Sequence, residues 1–133
     1  MKEVNGLVGI VIVSHSQKLA EGVKELAEMM ARDVQIAAAG GVDDGMLGTS
    51  YGKIMMAVED VCGRDGAVVL MDMGSAVMTA ELVQENLKDD QVKLVDCPLV
   101  EGAVMAAVAA AGGADVMEVV RQAQAGREMM KLQ

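Results

Sequence analysis

Two residues of this sequence have the types and the spacing of a nucleophile and its partner. His15, the only histidine, follows an apolar run at residues 8–13 after one intervening residue, Ser14, and Asp72 directly follows another run at residues 66–71. A carboxylate that accepts one ring N–H of a histidine fixes the tautomer and leaves the other nitrogen free to attack. We therefore predict that His15 is a nucleophile, that Nε2 is its attacking atom, and that Asp72 orients the ring.

The sequence next to both residues suits an anion. Backbone N–H groups near Ser16 and near Gly74-Ser75 fall at predicted helix N-termini, and such ends favour phosphate. We predict that His15 carries a phosphoryl group without a metal ion, and that Ser16, Gly74 and Ser75 bind its oxygens. The structural alternatives are that the two serines beside His15, Ser14 and Ser16, only cap the first helix, that His15 is a loop residue, and that Asp72 is a cap.

Alternating strand and helix patterns must position these side chains. The predicted strands are the apolar runs at residues 8–13, 34–38, 66–71 and 92–96. This alternation predicts an α/β fold with a three-layer, doubly wound, mainly parallel sheet and helices on both faces. We expect strand order 2-1-3-4, with a fifth strand left open. His15 and Asp72 then face each other across the topological switch point, where such folds bind ligands.

The first helix has a start signal and an apolar stripe. Ser14 and Gln17 have the spacing of a capping box, which predicts that the helix begins at His15. Its apolar residues at helical spacing are Leu19, Val23, Leu26 and Met30.

A glycine-rich segment, residues 39–50, follows the second predicted strand. It is either a plain connection or a binding loop, and it lacks the Gly-Lys-Ser/Thr ending of a nucleotide-binding loop. Thr49 or Ser50 at its end is a suitable cap for the next helix.

Composition limits the remaining possibilities. The chain has 133 residues, 53% of them hydrophobic, which suits a single domain with an aliphatic core. A net charge of -9 and a single aromatic residue, Tyr51, argue against nucleic-acid binding. Cys62 and Cys97 are too widely spaced for a metal motif, so we interpret them as structural thiols. We expect no secretion leader, no membrane span and a cytoplasmic protein.

Several blocks together resemble one known family. They are GIVIVSHSQKLAEGVKELAEMM, GMLGTSYGKIMMAVED, DGAVVLMDMGSAVMTAE and CPLVEGAVMAAVAA, between about Val8 and Ala123. They resemble the mannose-type enzyme IIA (EIIA) family of the bacterial phosphoenolpyruvate-dependent phosphotransferase system, in particular its dihydroxyacetone kinase branch. The resemblance implies a doubly wound homodimer. It also implies a single EIIA domain over residues 1–133, with an ordered core at about 7–125.

The resemblance also implies how the protein works. His15 would accept phosphate from the phosphocarrier HPr without a cofactor. The acceptor would be ADP on the ADP-binding subunit of dihydroxyacetone kinase. Thr49 falls in a resembling block and is a candidate phosphate-binding residue, while the roles of Ser50 and Glu101 stay open. Met73-Gly-Ser-Ala76, where sugar-transporting relatives tend to have Gly-Gly-Ser-Pro, favours the kinase branch.

Two other functions remain open within this family. One is a sugar-transport EIIA component that donates to a IIB domain, and the other is a non-catalytic regulatory EIIA-like domain. A receiver domain is disfavoured because acidic residues do not follow the first strand. A serine hydrolase is disfavoured because no G-x-S-x-G motif is present, and a flavin-binding protein is disfavoured because of the lack of aromatic residues.

Overall fold

The computed structural model of the protein describes residues 6–88 and 90–133. Its four strands are β1 (Gly9–Ser14), β2 (Ile36–Gly40), β3 (Ala67–Met71) and β4 (Val92–Val95). All neighbouring strands are parallel, and the order is β2-β1-β3-β4. The predicted order is confirmed. The described residues contain no fifth strand of the sheet.

In the described part of the chain, five α-helices cover the sheet. They are α1 (Gln17–Met30), α2 (Tyr51–Val61), α3 (Ser75–Asn86), α4 (Leu99–Ala111) and α5 (Val116–Ala125). Helices α1, α4 and α5 enclose one hydrophobic core, and α2 and α3 enclose the other. The predicted three-layer arrangement is therefore confirmed.

The residue alternation of β1 separates the two cores. Ile10 and Ile12 face the core of α1, α4 and α5, while Val11 and Val13 face the core of α2 and α3. Successive side chains of a strand point to opposite faces, so a strand covered on both sides must be apolar at every position.

The register brings the ends of β1 and β3 together. Val13 pairs with Met71, and the backbone N–H of Asp72 donates to the Val13 carbonyl oxygen over 3.0 Å. After this point α1 turns to one face of the sheet and α3 to the other, which opens a crevice between them. His15 and Asp72 lie at this crevice.

Helix α1 differs from its prediction in where it begins. Ser16, not Ser14, is the N-cap, because the Ser16 Oγ accepts the backbone N–H of Leu19 over 3.1 Å. Ser14 is the last residue of β1 and is fully buried. His15 therefore precedes the cap, and the helix begins at Gln17.

The predicted apolar stripe of α1 is only partly buried: Val23 is buried, but the other three predicted residues are not. Its buried side chains are Ala20, Val23 and Ala27. Leu19, Leu26 and Met30 are exposed to between 40% and 54%. Small side chains face the sheet because β2 comes very close: a Cβ on Gly40 would lie 2.8 Å from the Cβ of Ala20.

Within the described residues, all five helices fall short of the length and apolar character needed to cross a bilayer.

Candidate functional site

The His15 side chain is held by one carboxylate at the end of β3. Its Nδ1 lies 3.0 Å from Asp72 Oδ1, and its backbone N–H donates to Asp72 Oδ2 over 3.0 Å. The side chain of His15 is 30% exposed and that of Asp72 is 14% exposed. The ring is thus held at its Nδ1 edge by Asp72 and is partly exposed to solvent.

Asp72 accepts further hydrogen bonds that keep it ionised. The Ser14 hydroxyl donates to Oδ2 over 2.9 Å, and the Met73 backbone N–H donates to Oδ1 over 2.6 Å. Burial raises the pKa of Asp72, but the donors from His15, Met73 and Ser14 outweigh it and lower that pKa below its ordinary value. An ionised carboxylate only accepts hydrogen bonds, so Nδ1 of the neutral His15 ring carries the proton.

The other ring nitrogen faces the start of α3. His15 Nε2 lies 2.9 Å from Ser75 Oγ, and Ser75 is the first residue of that helix. Gly74 is the N-cap, with φ 54° and ψ -120°, and contributes no capping side chain. The backbone N–H groups of Gly74 and Ser75 donate to no other described residue, so both are available to an anion.

The glycine-rich segment closes the site from the other side. The Gly48 N–H donates to the His15 carbonyl oxygen over 2.9 Å. Thr49 Oγ1 lies 3.3 Å from Ser75 Oγ and 3.2 Å from Thr79 Oγ1. Lys53 Nζ donates to the carbonyl oxygens of Gly40 and Val42, which supports the segment from below. These contacts favour a binding loop over a plain connection for residues 39–50, because the segment contacts both His15 and Ser75.

Comparison with known proteins identifies the family. A family model described as the PTS system fructose IIA component, EIIA-man, matches residues 9–120. The phosphotransferase subunit DhaM of the PTS-dependent dihydroxyacetone kinase of Lactococcus lactis is 37% identical over 114 residues, which are 86% of this chain and 91% of that protein. The chain belongs to the EIIA-man family, and within it to the DhaM type.

Other relatives differ in length. The DhaM phosphoryl donor subunit of the PEP-dependent dihydroxyacetone kinase of Escherichia coli is 44% identical over 137 residues. The alignment covers 95% of this chain but only 29% of the E. coli protein. A crystal structure of a protein of unknown function is 36% identical with a TM-score of 0.77, and the match covers 89% of this chain and 93% of that one.

In this EIIA-man chain, all but one of the predicted site residues lie around the same crevice. His15, Asp72, Gly74, Ser75 and Thr49 surround one crevice. Ser16 lies beside it, but its N–H donates to Ser14 Oγ over 3.0 Å and its hydroxyl caps α1. Phosphate binding by these residues stays a prediction.

The structure shows what Ser50 and Glu101, whose roles the sequence leaves open, contact. Ser50 caps α2 by accepting the Lys53 N–H over 3.2 Å, which leaves the Thr49 side chain to the site. Glu101 lies away from His15 in an ion pair with Lys131, with 2.9 Å between Oε2 and Nζ.

Two polar residues of the site, Ser14 and Thr79, are not among the site residues that the sequence predicts. The sequence predicts Ser14 as a helix cap, although its position at the end of an apolar strand indicates burial. Thr79 lies four residues after Ser75 and so on the same face of α3.

The two cysteines are not joined by a disulfide bond. Burial, together with the neighbouring Asp96 carboxylate, raises the pKa of the Cys97 thiol to about 11. A thiol with so high a pKa stays protonated at neutral pH and is a poor nucleophile.

Proposed function

We propose that this chain is a phosphocarrier in which His15 Nε2 accepts a phosphoryl group and passes it to a second protein. The observation that carries the proposal is the 3.0 Å contact between Nδ1 and Asp72 Oδ1, with Nε2 facing the start of α3. A ring held in this way presents an unprotonated nitrogen to the anion-binding end of a helix.

The transfer is a displacement at phosphorus. The lone pair of Nε2 forms the new N–P bond, while the bond from phosphorus to the donor breaks and its electron pair returns to the donor. The His15 ring keeps its Nδ1 proton and becomes positively charged. The Asp72 carboxylate, 3.0 Å away, stabilises that charge. In onward transfer, a phosphate oxygen of the acceptor forms the new bond to phosphorus while the N–P bond breaks and its electron pair returns to Nε2.

The phosphoryl oxygens need donors close to Nε2. The free N–H groups of Gly74 and Ser75 and the Ser75 hydroxyl provide them, and the Thr49 hydroxyl supports Ser75. Because both polar groups of Ser16 are engaged elsewhere, its backbone and side chain contribute less to our proposed phosphate site.

The partners in the proposal follow from the relatives. Their names describe a phosphoryl donor subunit of a PEP-dependent dihydroxyacetone kinase. We propose the corresponding route for this chain: phospho-HPr phosphorylates His15, and His15 passes the group to ADP on the ADP-binding kinase subunit. The regenerated ATP then supports dihydroxyacetone phosphorylation. The chain acts as a cytoplasmic homodimer, with one EIIA domain in each subunit and no cofactor.

The test is a reconstituted transfer. The protein is incubated with phosphoenolpyruvate, enzyme I and HPr, and its intact mass is measured. We expect one acid-labile, base-stable phosphoryl group per chain, and none on His15→Ala. The group should then disappear when the ADP-loaded kinase subunit is added.

The other outcomes have distinct meanings. Loss of the group only to a IIB domain would make the chain a sugar-transport component. A stable group that neither acceptor removes would indicate a regulatory domain. An unmodified wild-type protein, with a donor system that phosphorylates another EIIA domain in parallel, would refute the phosphocarrier proposal.

A further inference from the structure

We infer that Thr79 is a positioning residue that acts through Thr49 to keep the Ser75 hydroxyl directed at His15 Nε2 and at the phosphoryl group it carries. This inference rests on the proposed function. Three contacts join the four side chains in a row: 2.9 Å from Nε2 to Ser75 Oγ, 3.3 Å from Ser75 Oγ to Thr49 Oγ1, and 3.2 Å from Thr49 Oγ1 to Thr79 Oγ1.

The His15 end of this row determines which hydroxyl donates in each contact. Nδ1 keeps its proton and donates a hydrogen bond to Asp72, so Nε2 of the neutral ring has only a lone pair, and Ser75 must donate to it. Each hydroxyl has one proton. Because the Ser75 proton is engaged at Nε2, the proton of the next contact comes from Thr49. By the same reasoning, the proton between the two threonines comes from Thr79.

The row therefore has one direction, and all its protons point toward His15. Hydrogen bonds that point the same way along a chain polarise and strengthen one another. Thr79 lies at the outer end, is half-buried on α3 one turn beyond Ser75, and does not contact His15. Its effect on the ring passes through Thr49 and Ser75.

Phosphorylation changes only the last link of the row. When Nε2 is bonded to phosphorus it can no longer accept a hydrogen bond, so the Ser75 proton turns to a phosphoryl oxygen. Thr49 and Thr79 keep their directions. The Ser75 hydroxyl consequently presents a proton, and not a lone pair, to the dianionic group without reorganisation of its neighbours, which favours transfer.

A set of threonine variants tests the inference. Thr79→Val removes the hydroxyl at nearly constant shape, and Thr79→Ser retains the hydroxyl. We expect Thr79→Val to slow phosphorylation of His15 by phospho-HPr about threefold to tenfold, the range for one hydrogen bond. Thr79→Ser should recover the wild-type rate to within about twofold. Thermal unfolding of each variant checks that the fold is intact.

A double variant separates this inference from a purely structural role. If Thr79 acts through Thr49, Thr49→Val combined with Thr79→Val should be no slower than Thr49→Val alone. Multiplied effects would overturn the inference, because they would mean that the two threonines act independently. So would a wild-type rate in Thr79→Val.

A spectroscopic measurement does not depend on the transfer reaction. The ¹⁵N NMR signal of His15 Nε2, recorded where the ring is neutral, reports the hydrogen bond from Ser75. In Thr79→Val it should move toward the value of a ring nitrogen without that bond, and in Thr79→Ser it should not. An unchanged signal in Thr79→Val would overturn the inference. Failure of the wild-type protein to be phosphorylated would instead refute the phosphocarrier proposal itself.

Discussion

Replacement of Asp72 by asparagine removes one oxygen and one charge at the centre of the site. Each carboxylate oxygen accepts a backbone N–H: Oδ1 from Met73 and Oδ2 from His15. A backbone N–H can only donate, so neither group can accept a hydrogen bond from a new NH₂ group. An asparagine side chain therefore places its NH₂ group against a backbone N–H in either orientation. In one of them the NH₂ also faces Nδ1 and favours the wrong ring tautomer, with the proton on Nε2.

The magnitude follows from the contact distance. A full charge on the ring, 3.0 Å from the carboxylate, would interact with it by about 5 kcal/mol at the effective dielectric constant of partly exposed sites. If half of that charge has developed in the transition state, about 2–3 kcal/mol is lost, or roughly 30- to 150-fold in rate. Adoption of the wrong tautomer would add to this loss. We therefore expect Asp72→Asn to slow transfer at least about 100-fold.

The assay is single-turnover phosphorylation by phospho-HPr, followed by intact mass. Asp96→Asn is the matched control, because Asp96 follows β4 as Asp72 follows β3, yet its side chain is 95% exposed. Asp72→Asn should remain folded but be less stable by about 1–3 kcal/mol, the cost of an unsatisfied buried donor. A rate within about threefold of wild type in a folded Asp72→Asn protein would remove Asp72 from the mechanism.

Three further predictions concern stability and reactivity. Gly74→Ala should lose about 1–3 kcal/mol of unfolding free energy, because φ 54° with ψ -120° is backbone that alanine avoids, although space for a Cβ is open. Gly22→Ala, in equally open space inside α1, should instead gain up to about 1 kcal/mol. Since the pKa of Asp72 is lowered in the folded protein, the stability advantage of wild type over Asp72→Asn should be full at pH 6 and shrink as the pH falls below about 4, which acid unfolding curves would show. Cys97, with a pKa of about 11, should react slowly with iodoacetamide at pH 7.5 when followed by mass in a Cys62→Ser background, and rapid alkylation would contradict the burial of its thiol.

The sheet was predictable because its signals are local and strong. β-Branched runs such as residues 8–13 cannot be exposed, and the helical patterns between them leave few parallel topologies. Strand order then places the residue after β1 beside the residue after β3. The pairing of Val13 with Met71 supplies that placement, and it required no knowledge of side-chain contacts.

The orientation of α1 was not predictable from hydrophobicity alone. The predicted stripe combined Val23 with three larger side chains, and only Val23 is buried. The larger residues, Leu19, Leu26 and Met30, are exposed. The buried face is determined by the short distance between α1 and β2. Gly40 of β2 lies so close to the start of α1 that a Cβ on it would be 2.6 Å from the Ser16 carbonyl oxygen. Only alanine-sized residues fit such a contact. The same close approach holds β2 against the segment that carries His15.

The sequence predicts the same role, phosphate binding, for Ser16 and Ser75 at two helix starts. In the structure, Ser16 occupies the N-cap position of its helix, whereas Ser75 lies one residue after the N-cap. Ser16 is itself the N-cap of α1, so its hydroxyl is bound to the Leu19 N–H. At α3 the N-cap is Gly74, which has a positive φ and no side chain that could cap the helix. Ser75 is the next residue. Its hydroxyl is therefore left free for His15 Nε2, 2.9 Å away. A shift of one residue in the cap thus makes one serine structural and the other a candidate ligand of the phosphoryl group.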